Sequence, residues 1–273
     1  MLHNLGGGRF GAPIDPLAGR ARDADPEVVF VGDLDGEGRG EVVTARRFDA
    51  VEDSLRGRLA AARRPRFRYE VHALADDLRW DPRPRASFEI EGHVFAPEGV
   101  PGPLDNPRDL DGDGRPDLVA LRLDLSLADA ARVLLARSVH VGVELAALCQ
   151  QGDGSLRPAA TLRGDLTLRL AALRLAQAAS FGGDFDGDGK ADFLRLGPGR
   201  RAEIHRGGAG CRYAARPDLR FELVEAPQDA ALVSVRDLDG DGRSDVAVTR
   251  LRRGRAEADV AAAIDLYLAR AEP

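Results

Sequence analysis

A chain of 273 residues that is 44% hydrophobic and 31% charged holds enough apolar material for a sizeable core and is not of a disordered composition. Aromatic residues make up only 5%, so the core is mainly aliphatic. The formal net charge of −6 argues against a general nucleic-acid binder, which carries a basic excess, and no apolar run reaches the ~18 residues of a membrane-spanning helix.

From the N-terminus, residues 1–8 show no charged stretch followed by an apolar one, so no secretory leader is visible. Gly6-Gly7-Gly8-Arg9-Phe10 reads as a tight turn leading into a strand. The β-branched run 28–31 predicts a strand, followed by an acidic stretch at 33–41 and a second strand at 42–44. Leu55, Leu59 and Ala62 predict a helical insertion over 49–64. Strands are expected at 67–74 and 87–95, with Pro-rich loops at 79–85 and 97–107. A second acidic stretch, 109–117, precedes a strand at 118–121. Ser126, with Asp129 three residues later, caps a second helical insertion over 126–137. Further strands are predicted at 139–145 and 166–170, with a Gly turn at 152–156 between them. The third acidic stretch, 184–192, leads into a strand at 193–196. The fourth, 237–245, lies between strands at 232–235 and 246–249, and a last strand covers 264–268.

The four acidic stretches align without gaps, and their starts lie 76, 75 and 53 residues apart. Such self-similarity marks a repeat architecture. Sixteen of the 45 acidic residues fall in these windows, and four divalent ions would turn −6 into +2. Positions 1, 3, 5 and 9 carry the carboxylates: Asp33, Asp35, Glu37 and Glu41; Asp109, Asp111, Asp113 and Asp117; Asp184, Asp186, Asp188 and Asp192; Asp237, Asp239, Asp241 and Asp245. The backbone carbonyl of position 7 (Arg39, Arg115, Lys190 or Arg243) is the natural fifth oxygen. Hard oxygens in this number suit Ca²⁺, which takes about six to eight of them. With no Cys or His beside any loop, softer metals are disfavoured. The alternative, four simple Asp-Gly turns, leaves clustered carboxylates repelling one another. The loops are not EF-hands: the flanks are strands, and the twelfth position is Thr44, Ala120, Arg195 or Val248 in place of Glu. Affinities at the weak end are therefore expected. The first loop, with Glu37 and Glu41, is expected to be the weakest of up to four sites.

Asp-x-Asp-Gly-Asp-Gly-x-x-Asp between two strands resembles the calcium loop of FG-GAP repeats, also called VCBS repeats. Gly6 to Pro13 and Gln151 to Pro158 are similar to the Gly-rich turns that open such repeats. The resemblance covers roughly Gly6 to Leu268. It implies an all-β fold: a β-propeller of about four antiparallel blades as a single domain over 1–273, with the loop joining the first two strands of each blade. Propellers of this family usually have more blades (about seven). The last unit ends at its third strand, and residues 9–14 offer a fourth strand that would close a small ring; a partial propeller is the other expectation.

The resemblance implies a non-enzymatic interaction or adhesion module with structural Ca²⁺, binding a protein or glycan. Weak calcium sites fill where the ion is abundant, so a secreted, periplasmic or cell-surface location is expected. An enzyme acting on polysaccharide and a structural segment of a larger assembly are the alternatives. No catalytic motif is present, and His3, His72, His93, His140 and His205 are scattered. Arg163-Gly164-Asp165 matches an integrin-ligand tripeptide but lies beside a predicted strand. Trp80 reads as a packing anchor or a ligand contact, and 63–66 as a solvated basic face. Cys149 and Cys211 are too few for a disulfide scaffold; one bridge and two buried free thiols are both compatible with them.

Overall fold

Short β-branched segments separated by Gly- and Asp-rich turns favour antiparallel pairing of neighbours in sequence, and the computed structural model is built in this way. It describes residues 2–6, 9–13, 26–48, 54, 57, 64–75, 79–95, 106–124, 138–152, 154–169, 174–177, 179–197, 199–227, 232–253 and 260–270. All nineteen elements named among them are strands, and every pairing is antiparallel. Among the described residues no sheet closes on itself. The helical insertions expected at 49–64 and 126–137 lie outside the described residues, apart from Ser54, Gly57 and Arg64. The chain divides into two compact units, Met1–Glu98 and Gly99–Pro273.

In the first unit, β1 (Leu2–Gly6) and β2 (Arg9–Pro13) pair as a hairpin. A four-stranded meander follows: β3 (Glu27–Gly32), β4 (Glu41–Arg47), β5 (Arg66–Ala73) and β6 (Ala86–Glu91). The first acidic loop joins β3 to β4. Val42, Val43 and Thr44 are fully buried on β4, so both faces of that strand are covered. Phe95 stacks on Phe30 and meets the edge of Tyr69, forming the aromatic part of this core. Trp80 is a packing residue: its ring lies 4.6 Å from that of buried His72, and it bridges to Leu74.

The second unit holds three further meanders. The first comprises β7 (Leu118–Asp124), β8 (Ser138–Gln150), β9 (Leu156–Arg169) and β10 (Arg174–Gln177). The second comprises β11 (Ala179–Gly183), β12 (Asp192–Leu196), β13 (Arg201–His205) and β16 (Leu219–Glu222), with the hairpin β14 (Gly207–Gly208) and β15 (Arg212–Tyr213) inserted. The third has only β17 (Val233–Arg236), β18 (Asp245–Arg253) and β19 (Val260–Tyr267).

The pleat makes these sheets stack. On β12, Phe193 packs with Leu110, Val119, Val143 and Phe181, while its neighbour Leu194 packs with Ile204, Leu223, Val246 and Val248. Successive residues of one strand therefore serve two different cores. The ladder before β7 shrinks to a single bridge, Arg108↔Asp117. Pro107 directly before it has no N–H to give a longer ladder.

Residues 9–13 form β2, which pairs with β1, and β19 is an edge strand among the described residues. Arg163-Gly164-Asp165 lies in the regular β8–β9 ladder, opposite Glu144, Val143 and Gly142.

Candidate metal centre

The four loops share one backbone solution. The glycines at positions 4 and 6 all have φ between 74° and 85°, the left-handed region that lets nine residues curl on themselves. The position-1 Asp sits inside this curl. In each loop its Oδ1 accepts the N–H of position 4 and its Oδ2 the N–H of position 6, as in Gly112 to Asp109 at 2.8 Å and Gly114 to Asp109 at 2.9 Å.

The position-9 acid is the buried partner. Glu41, Asp117, Asp192 and Asp245 are at most 1% exposed. One oxygen of each accepts the position-2 N–H: Leu34 to Glu41 at 2.8 Å, Leu110 to Asp117 at 2.8 Å, Phe185 to Asp192 at 2.7 Å and Leu238 to Asp245 at 2.8 Å. In the second unit the other oxygen accepts an N–H from just beyond or at the end of the third strand: Gln150, Gly207 or Ala269, at 2.7–2.8 Å. Burial raises Asp117 and Asp192 to about 6 despite these bonds, and the neighbouring loop carboxylates push the same way. A cation placed among the carboxylates would reverse that penalty.

Carboxylate oxygens of positions 1, 3 and 9 lie within 4.8 Å of one another in the first, third and fourth loops; in the second loop those of positions 1, 3 and 5 do. Position 5 stands outside the converged group elsewhere. Asp188 and Asp241 accept the N–H of position 7, at 3.0 Å from Lys190 and 2.9 Å from Arg243. Burial alone would raise Asp188, but the Lys190 ammonium at 2.5 Å holds it below the usual carboxylate range. Asp113 is paired in the same way with the Arg115 guanidinium. Asp111 is 9% exposed, and its Oδ1 is buried without a hydrogen-bond partner. An orphaned buried carboxylate oxygen in an all-oxygen loop fits a hard divalent cation.

The first loop differs. Glu41 is also raised by burial, but the Arg85 guanidinium lies against it at 3.1 Å and also pairs with Asp35. The third-strand N–H that meets the buried acid in the second unit has Leu74 as its counterpart, which donates to the Gly40 carbonyl at 3.1 Å. The longer Glu side chain is thereby left facing an arginine. This residue lies 50 positions from Asp35, and the sequence pattern carries no signal for it.

Loops of the second unit are joined edge to edge. Ala191 N donates to Leu110 O at 3.1 Å, linking the second and third loops. Ser244 N donates to Asp184 O at 2.6 Å and Ser244 Oγ accepts from Asp184 N at 2.9 Å, linking the third and fourth. A Cβ on Gly112 would stand 2.9 Å from Gly189 O. Cys149 and Cys211, 62 residues apart, form a disulfide between the end of β8 and the β14–β15 turn. His72 and His205 are equivalent structural residues. Each pairs with position 10 of its repeat, and each ring Nδ1 meets a backbone carbonyl nine residues on, Asp81 O at 2.9 Å and Ala214 O at 2.8 Å. Compared with known proteins, the chain matches no family model, no curated protein and no solved structure.

Proposed function

We propose that the chain is a calcium-stabilised repeat protein of the FG-GAP/VCBS type, with propeller-like blades, that serves as a non-enzymatic binding module for a protein or glycan outside the cytoplasm. The observation that carries this reading is the convergence of three carboxylates in each of the four acidic loops. Such a group is costly to assemble without a cation. Asp109, Asp111, Asp113 and Asp117, Asp184, Asp186 and Asp192, and Asp237, Asp239 and Asp245 would hold the ions, with the position-7 carbonyls as further oxygens. Ca²⁺ would supply positive charge where only backbone N–H groups and flanking Lys or Arg side chains now oppose the acids. The disulfide supports an oxidising compartment, where such bonds persist. Antiparallel meanders with an acidic loop between two consecutive strands, β3 and β4, β11 and β12, and β17 and β18, support the blade reading.

Thermal unfolding in EDTA, CaCl₂ and MgCl₂ tests it. Three sites filled at tenfold over their dissociation constants add about 4 kcal/mol. A midpoint that rises with Ca²⁺ and hardly with Mg²⁺ is expected. No shift with either ion sinks the reading and leaves the loops as turns.

A further inference from the structure

The disulfide lies against two carboxylates of the second acidic loop. A carboxylate oxygen of Asp111, one of Asp117 and the two cysteine sulfurs all lie within 4.8 Å of one another. The four residues are 9%, 1%, 3% and 0% exposed. The residues next to the cysteines hold the carboxylates in place: Gly210 N donates to Asp111 Oδ2 at 2.7 Å, and Gln150 N to Asp117 Oδ1 at 2.8 Å. Cys149 Sγ lies 3.5 Å from Asp111 Oδ2, while Asp111 Oδ1 is buried and unpartnered.

In the oxidised chain the sulfurs are spent on each other. A dithiol reductant changes this. Its thiolate attacks one sulfur, the S–S bond breaks with formation of a mixed disulfide, and its second thiol resolves that bond. The reductant leaves as a cyclic disulfide, and Cys149 and Cys211 gain the two electrons and two protons as free thiols. A pair of buried thiols beside a pair of buried carboxylates is a four-donor set of two sulfurs and two oxygens. Zn²⁺ takes such sets in tetrahedral geometry with loss of the thiol protons, whereas Ca²⁺ does not use sulfur. The Cα atoms stand 5.7 Å apart, so the sulfurs are delivered from neighbouring backbone positions.

We propose that reduction of Cys149–Cys211 creates a second metal site, formed by both cysteines with Asp111 and Asp117, for a thiophilic divalent cation such as Zn²⁺. The site does not depend on the calcium reading. If that reading holds, the two ions exclude each other at the second loop, because they share Asp111 and Asp117.

The probe is Co²⁺ added to the full chain, reduced with dithiothreitol and desalted without oxygen. The reduced protein should bind one equivalent, with a near-ultraviolet thiolate-to-cobalt band and intense tetrahedral visible bands that Zn²⁺ abolishes. The oxidised protein should show neither band. Asp111→Asn should weaken Co²⁺ by at least about tenfold, the loss that even an outer hydrogen-bond partner brings. Far-ultraviolet circular dichroism follows the fold throughout. Three results overturn the proposal: a reduced, folded chain without the thiolate band; a band of undiminished affinity in the Asp111→Asn/Asp117→Asn double variant; or sheet structure lost on reduction and not regained with Co²⁺. None of these alters the calcium-dependent melting of the oxidised chain, so the two readings fail separately.

Discussion

The acidic loop of the first unit and those of the second have the same backbone and opposite solutions to the same charge problem. In the second unit the buried position-9 Asp is held by two N–H groups, and no guanidinium among the described residues is paired with it. In the first unit a longer acid gives up one N–H and meets Arg85, whose guanidinium also pairs with Asp35. In the first loop a guanidinium lies against the buried position-9 acid itself; in the second and third loops the side-chain cations meet only the more exposed acids, Arg115 on Asp113, Lys190 on Asp188 and Arg206 on Asp186. One methylene, Glu41 for Asp, and one arginine in the turn just before β6 separate the two states.

The largest expected effect is on the receiving side. Asp192→Ala removes the acceptor of two N–H groups and a proposed ion ligand, and should cost about 3–5 kcal/mol in excess calcium. In EDTA the loss should be smaller, because repulsion from Asp184 and Asp186 is relieved; urea unfolding in the two buffers measures both. Equal losses in the two would break the comparison.

Protons give the next test. Asp117 and Asp192 keep theirs to about 6 in the fold, against 3.8 ordinarily. Between these values the folded chain binds more protons than the unfolded one. In EDTA, stability is therefore greatest at the acid end and falls as pH rises through the window, by up to about 1.4 kcal/mol per pH unit for each group. Calcium should oppose that fall, since it favours the ionised form. Urea midpoints that are flat across the window in EDTA would contradict this account.

Arg85→Gln should cost about 1–2 kcal/mol in EDTA, since it strips the counter-charge from buried Glu41. Calcium should restore most of the loss, and calorimetry should find one ion more than in the native chain. A variant that calcium cannot rescue would show that the first loop is not a disguised metal loop. The smallest contrast is steric. Gly112→Ala meets the Gly189 carbonyl, whereas Gly240→Ala meets nothing within 4 Å. Both carry the positive-φ penalty, and the first should lose about 1 kcal/mol more.

What the sequence reveals here is local. The acidic loops announce themselves by repetition, and their flanking strands by β-branched runs; the runs at 28–31, 42–44, 118–121, 193–196 and 246–249 all fall within strands. The turn at 152–156 is also legible, with Gly154 at φ 78°. Long-range features are not. Arg85 lies in a Pro-rich stretch that reads as loop, and nothing near it points to Asp35. The cysteine pair has no spacing signature, so a bridge and two thiols look alike until β8 and the β14–β15 turn are brought together. The strands β13 and β16 carry too mixed a pattern to be read, because β13 is framed by Arg and His and β16 is largely exposed. Roles for His72 and His205 become visible only through their shared register with position 10.

The hydrogen bonds from Ala191 to Leu110 and from Ser244 to Asp184 place the three loops of the second unit in a row, with the third in the middle. In such a one-dimensional array each member feels only its nearest neighbours. Damage at either end of the row has one direction in which to spread; damage at the centre has two. Asp192 and Gly187 therefore occupy the keystone of the array, and ion occupancy there should set how cooperatively the outer two fill.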